Sequence, residues 1–404
     1  MRPSVPTIPM SPQDPRGRRP ADAGPSLGET LRVLVVAESF LPQVNGVTNS
    51  VVRVLDHLAT TGHAAAVVAP TGPPSYAGFP VHHTRGASLP FYRDFRVGFE
   101  ARHRLHEIMA DFAPDVVHIA SPAALGYQAV RAAGDLDIAT VAIYQTDLVG
   151  FARTYGVPGG EWAMARLTRS IHRRVDRTLA PSTASVRQLE SLGVPRTALW
   201  PRGVDTTLFH PARRTRPRGT VEPVRIGYIG RLAAEKELHL LRSIADLPDT
   251  ELVLVGSGPE EEWLRLLLPS AQFRGLVRGG ELAQEYADLD VFVHTGRHET
   301  YCQSAQEALA SGVPVVAPNA GGPVDVVPRG AGYLYPPGDG RALRGLVSAL
   351  VDDVSLRQQM SVAARAAVEG RTWDRVNDLL LRHYRAVRRS ATRAIAETRE
   401  TASL

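Results

Sequence analysis

Short runs of valine, isoleucine, leucine and alanine recur along this chain, each followed by an amphipathic stretch, and the sequence plays the pattern twice. In the first half the runs are "LRVLVVAE" (31–38), "AAAVVAP" (64–70), "DVVHIAS" (115–121), "ATVAIYQ" (139–145) and "RTLAPS" (177–182). In the second they are "VRIGYIG" (224–230), "TELVLVGSG" (250–258), "AQFRG" (271–275), "VFVHTG" (291–296) and "VPVVAP" (313–318). Strands that are apolar on both faces belong in a parallel sheet covered by helices on either side. Helices are expected near 48–60, 235–246, 259–267, 281–287 and 303–311, and they dominate from about 339 onwards. The stretch 206–223, rich in Pro and Arg and without period, reads as a linker. The chain therefore reads as α/β, two doubly wound domains spanning 29–205 and 224–370. Such sheets collect ligands at the carboxyl ends of their strands. Two of them face to face place both crevices along one cleft, as a protein that brings two substrates together requires.

Composition excludes several classes. With 44% hydrophobic and 22% charged residues over 404 positions, the chain has the make-up of a core-forming protein. No apolar run approaches the roughly 18 residues of a membrane span. The single cysteine, Cys302, allows no internal disulfide and fits a reducing compartment. Residues 1–28, rich in Pro, Arg, Gly and Ser without an apolar block, read as a disordered tail and not a signal peptide, and 391–404 reads as a second tail. The net charge of +5 is a mild bias towards anionic partners.

The chemistry concentrates in "GRHETYCQSAQEALASGVPVVAPNAGGP" (296–323). Glu299 follows a strand and precedes a helix, where free N–H groups and the helix dipole favour anions. Glu307 lies about a turn into that helix. Two carboxylates spaced in this way suit a nucleoside diphosphate sugar: one set of hydroxyls at each end, and amides between them for the diphosphate. A capping glutamate and an unrelated surface glutamate have the same spacing. Gly46, in "NGV" (45–47) after the first strand, lets a backbone N–H approach a phosphate, or simply makes a turn. In "YQTDLVGF" (144–151), Asp147 reads either as a contact to sugar or acceptor or as a helix cap. Residues 82–106 carry five arginines and four histidines against Asp94 and Glu100, with Phe91, Tyr92, Phe95 and Phe99 interleaved. That composition suits either an anionic lipid surface or an ordinary solvated loop and helix. No nucleic-acid motif accompanies it.

The E-x7-E pair Glu299/Glu307 with "EALASGVPVVAP" behind it, "GYIGRLAAEKE" (227–237) and "NGV" together resemble the retaining glycosyltransferases of family 4, which have the GT-B fold. The resemblance spans about 31–385. "YQTD", "ESFLPQVNGVTNSV" (38–51) and "TYCQSAQEALASG" (300–312) look like the actinobacterial GDP-mannose-dependent α-mannosyltransferases that act on glycolipids. The resemblance implies that the last helix, about 371–390, crosses back onto the first domain. It implies a catalytic set of Arg231, Lys236 and Glu299. Donor contacts would come from Gly46, Asp147, Arg231, Lys236, Glu299, Tyr301, Cys302 and Glu307. Arg231 and Lys236 would steady the diphosphate as it gains charge; the alternative for that motif is a local salt bridge with Glu235. Three departures stand out. The loop at 144–147 lacks the histidine many relatives carry there, Tyr301-Cys302 replaces Phe-Gly, and Glu237 replaces a glycine.

The resemblance further implies transfer of mannose from GDP-mannose to an acceptor hydroxyl on a diacylglycerol-based glycolipid or a phosphatidylinositol mannoside. No metal is expected, because the two cations neutralise the diphosphate, and no cofactor beyond the donor. The expected setting is cytoplasmic, with peripheral contact to the inner face of the plasma membrane through 82–106. The alternatives are a nucleotide-sugar 2-epimerase of the same fold and a non-catalytic nucleotide-sugar-binding protein.

Overall fold

The computed structural model describes residues 29–402 except 44, 90, 91, 121, 122 and 218–221, with side chains for all of these but 87–89, 92–97, 389 and 391–402. The tail read at 1–28 lies outside the described residues. Both sheets belong to one unit that begins at Leu31.

The first sheet is built from β1 (Arg32–Val36), β2 (Ala64–Ala69), β3 (Ser75–Tyr76), β4 (Phe79–His83), β7 (Val116–Ile119), β8 (Ala139–Ile143), β9 (Arg177–Ala180) and β10 (Thr197–Leu199). A separate antiparallel hairpin, β5 (Arg85–Leu89) and β6 (Tyr92–Phe99), intervenes in sequence. The spatial order is β10-β9-β8-β7-β1-β2-β4-β3, parallel except for the β3–β4 pair. The second sheet holds β11 (Val224–Ile229), β12 (Thr250–Val255), β13 (Gln272–Gly275), β14 (Val291–Val293), β15 (Val315–Pro318) and β16 (Gly332–Tyr335) in the order β13-β12-β11-β14-β15-β16, all parallel. The strands are continuously apolar because both faces are covered. Val33 and Val35 pack on one side of β1, Leu34 and Val36 on the other. Val253 and Val255 of β12 likewise oppose Leu252 and Leu254.

The structure adds strands β3, β4, β10 and β16, which the sequence reading did not name, and differs from it elsewhere as well. Residues 82–106 contain the start of the helix of the loop-and-helix reading, Arg102–Phe112, but the part before it is the end of β4 and the β5–β6 hairpin and not a loop. The helix expected over 235–246 is two 3-10 segments, Ala234–Lys236 and Leu238–Ile244, broken at Glu237, whose φ is +50°. The stretch 206–223, read as a linker, is bonded to the second domain over its described part. Arg214 pairs with Asp290 at 2.7 Å, Thr215 bonds Asp288, and Arg216 pairs with Glu251 at 2.7 Å, so the chain is laced onto the second domain. Residues 391–402, read as tail, continue the last helix, Trp373–Ala402; the alanine, arginine and glutamate there are strong helix formers.

That last helix returns to the first domain. Val376, Leu380, Leu381, Tyr384 and Val387 complete the core on one face of the first sheet. Tyr384 OH lies 2.6 Å from His118 Nδ1, and Trp200 Nε1 donates to Val376 O at 2.9 Å. The two crossings between domains touch each other. Val204 N donates to Arg371 O at 2.9 Å, and a Cβ on Gly203 would lie 2.5 Å from Trp373 Cα. Only glycine permits this backbone-on-backbone approach.

Candidate active site

Strand order reverses between β11 and β14 in the second sheet, so the loops leaving those two strands open a crevice at their carboxyl ends. The loop after β11 carries Arg231 and Lys236; the loop after β14 carries His294 and Glu299. Two bonds lock the loops together. Glu237 Oε1 meets Arg297 Nε at 2.8 Å, and Thr295 Oγ1 donates to Lys236 O at 2.5 Å. Lys236 Nζ then donates to Glu299 Oε1 at 2.5 Å, and His294 Nε2 stands 3.2 Å from the same oxygen. Burial alone would raise the Glu299 carboxyl, but the Lys236 charge and the His294 ring outweigh it and hold it well below the usual carboxylate range. Burial would lower Lys236, and Glu299 reverses that too. His294, almost sealed, is pushed above its ordinary value despite burial by the Cys302 sulfur and the Glu299 carboxylate.

Glu307 sits in the helix Gln303–Ala310 and accepts from Tyr286 OH at 3.0 Å. Burial raises its carboxyl to about 7, against the opposing bonds from Tyr286 and Gln303. No side chain caps this helix at Cys302, so its first N–H groups have no intrahelical partner. Cys302 itself is left-handed, with φ +81°. It and Glu237 are the two positions where glycine would be expected from the family pattern, and both take the backbone conformation that favours glycine, at a cost of roughly 1–2 kcal/mol each. Behind the loop, Gly322 N donates to Glu299 O at 2.7 Å, and any Cβ on Gly322 would strike the Tyr301 backbone at 2.2 Å.

The other sequence candidates divide between crevice and core. Arg231, about one-third exposed, is 3.9 Å from Glu235. Gly46 opens the helix Gly46–Thr60 beside its N-cap Asn45, whose side chain takes Val47 N and Thr48 N; space around Gly46 is open. Tyr301 turns away from the crevice: its ring is buried and its hydroxyl donates to Arg202 O at 3.2 Å. Cys302 is buried as well, so these two residues offer the crevice backbone and not side chain. Asp147 is the N-cap of the helix Leu148–Thr154, bonding Gly150 N at 2.9 Å and Gln188 Nε2 at 2.8 Å, with Oδ2 3.9 Å from His298. Sequence reasoning missed His294 as a partner of Glu299. The signal was its place, the first residue after "VFV" at a strand's carboxyl end.

The facing domain meets these loops directly. Thr300 Oγ1 donates to Gln145 O at 2.9 Å, Ser185 Oγ to Thr300 O at 3.2 Å, Tyr155 OH to Glu235 Oε2 at 2.8 Å, and Thr183 N to Asp325 Oδ2 at 2.6 Å. Among the described residues no group of three or more His, Cys, Asp or Glu side chains is placed to hold a metal ion.

Two parallel-sheet domains, joined by paired crossings and carrying cations, carboxylates and an uncapped helix start at one switch point, define a GT-B glycosyltransferase. Residues 44–208 match the model of Glycosyltransferase Family 4, and 214–367 that of Glycosyl transferases group 1. The chain belongs to glycosyltransferase family 4. It is 46% identical to a GDP-mannose-dependent alpha-mannosyltransferase of Mycobacterium tuberculosis, over 89% of this chain and 97% of that one. It is 39% identical to a protein of the same description from Corynebacterium glutamicum, over 88% of each. In fold it is similar to Anabaena HepE, solved in complex with UDP, at a TM-score of 0.71 and 18% identity over 88% of this chain and all of that one.

Proposed function

We propose that the protein transfers mannose from GDP-mannose, with retention at the anomeric carbon, to a hydroxyl of a lipid-linked acceptor, a diacylglycerol-based glycolipid or a phosphatidylinositol mannoside. One observation carries the reading: Lys236 meets Glu299 beside the switch point of the second sheet, and the helix that starts just after Glu299 without a side-chain cap carries Glu307. The relatives' names support the donor. In this reading Glu307 takes the ribose hydroxyls and Glu299 the sugar hydroxyls. Arg231, Lys236 and the amides from Tyr301 onwards hold the diphosphate, with Gly46 facing it across the cleft. Lys236 has three donors, so it serves a phosphate oxygen while still bonding Glu299. As the glycosidic bond breaks, charge grows on the leaving phosphate where these fixed donors already stand. We assign the neutralisation to Arg231 and Lys236 and not to a metal ion.

The acceptor enters from the first domain. A face of that domain suited to an anionic lipid surface supports a lipid-linked acceptor. The stretch 148–174 has five arginines against Glu161 alone, and Phe151, Val157 and Trp162 are exposed on it, Trp162 by 70%. Arg166 stacks on Trp162 at 5.7 Å. Aromatic rings beside arginine suit the headgroup region. The segment 82–106 is a second candidate for that contact. Phe99 is exposed there, Phe91 lies outside the described residues, and the side chains of Tyr92 and Phe95 do too. No helix of the described residues is long and apolar enough to cross a membrane.

The test is turnover of labelled GDP-mannose with and without membrane lipid extract. Lipid-dependent appearance of a mannosylated product is expected. Conversion of the nucleotide sugar without any acceptor would point instead to an epimerase, and the absence of turnover would overturn the assignment.

A further inference from the structure

Neighbouring residues of the loop after β14 aim in opposite directions. Glu299 turns back into its own domain, onto Lys236 and His294, while His298 turns across the cleft towards Asp147. His298 Nδ1 lies 3.9 Å from Asp147 Oδ2, and the imidazole is about one-quarter exposed. Asp147 is held firmly for this encounter: its other oxygen, Oδ1, accepts from Gly150 N, Gln188 Nε2 and, at 3.3 Å, Tyr144 OH. The approach also depends on Gly150. A Cβ there would lie 2.3 Å from Asp147 Oδ2 and 3.0 Å from His298 Nδ1. Two residues along, Thr300 bonds Gln145 O, so the loops 145–147 and 298–300 form a seam between the domains directly beside Glu299.

We infer that His298, oriented by Asp147 across this seam, binds a hydroxyl of the transferred sugar through Nε2, and so makes closure of the cleft sensitive to the presence of the sugar. This rests on the donor reading above. A carboxylate facing Nδ1 favours the tautomer with the proton on that nitrogen and leaves Nε2 as an acceptor. A separation of 3.9 Å is long for a hydrogen bond and shortens when the domains close on a ligand. Glu299 and His298 then grip the sugar from two sides, one from within the donor-binding domain and one at its boundary with the facing domain.

Bare GDP lacks the sugar, and this gives the test. Equilibrium binding of GDP and of GDP-mannose is measured on the full chain, unaltered and as His298→Ala and Gly150→Ala, together with kcat/KM. Both variants are expected to bind GDP within about twofold of the unaltered protein. They are expected to lose about tenfold in affinity for GDP-mannose, the worth of one hydrogen bond, and to lose kcat/KM in proportion. Gly150→Ala replaces neither side chain of the pair, so a matching loss isolates their approach from the imidazole itself. A His298→Ala variant that binds GDP-mannose as well as the unaltered protein overturns the inference, as does one that loses GDP and GDP-mannose equally. An unaltered chain that binds neither nucleotide overturns the donor reading, and this assignment with it.

Discussion

At the residue scale the centre of the site is Lys236, held on the Glu299 carboxylate and, on the proposed reading, shared with the diphosphate of the donor. If that reading holds, Lys236→Ala removes the donor proposed to act on the leaving phosphate, and kcat is expected to fall about 10²–10³-fold. The same change strips Glu299 of the charge that depresses its carboxyl. The acid limb of the kcat/KM profile should therefore move to higher pH, and an unmoved limb in a pH series would argue that Glu299 does not bind substrate as a carboxylate. Glu307 behaves in the opposite sense. Burial raises it from 4.5 to about 7, so the folded state keeps a proton that the unfolded state releases. Its contribution to stability is therefore lost as pH climbs through that interval. Without nucleotide, Glu307→Gln should gain in denaturant midpoint relative to the unaltered protein between about pH 5 and pH 8. A constant difference would place Glu307 in a solvated setting.

At the scale of elements, the ten strands of the two sheets' apolar runs were legible, whereas β3, β4, β10, β16 and the β5–β6 hairpin were not. Runs such as "RVLVV" and "TELVLV" are unambiguous because both their faces are buried, as Val33 against Leu34 illustrates. The β5–β6 hairpin was missed because its arginines and aromatics mimic a solvated surface. The break at Glu237 was missed because a left-handed glutamate gives no compositional signal. Of the site, the E-x7-E pair and Lys236 could be read from motif and place, whereas the bond joining Lys236 to Glu299 and the role of His294 depend on how two distant loops meet. The C-terminal helix holds the first domain through its buried Tyr384–His118 bond. Burial, with a smaller push from Arg202, lowers His118 to about 3, so the ring stays neutral in the fold. Its contribution is present above its ordinary value near 6.5 and is lost as pH falls towards 3. Tyr384→Phe leaves that ring without its partner and should cost about 1–2 kcal/mol in chemical denaturation.

At the scale of the whole molecule, the two domains are joined by paired crossings at Gly203–Val204 and Arg371–Trp373 and by a seam of polar contacts beside the site. On the proposed reading such an arrangement would let the domains close on a donor as a hinge does and exclude water that would otherwise hydrolyse it. Gly203→Val drives a side chain into the Trp373 backbone. A loss of about 3 kcal/mol in unfolding free energy is expected, and wild-type stability would show that the crossings have room to part.

The most direct measurement is a thermal-shift series of GDP-mannose, UDP-glucose and ADP-glucose on the unaltered protein and on Lys236→Ala. Ligand stabilisation grows as RT ln(1 + [L]/Kd), so GDP-mannose should raise Tm above the other two on the unaltered protein and lose most of that effect on Lys236→Ala. Equal shifts from all three nucleotides, or a GDP-mannose shift that survives the loss of Lys236, would contradict a donor held at the switch point of the second sheet.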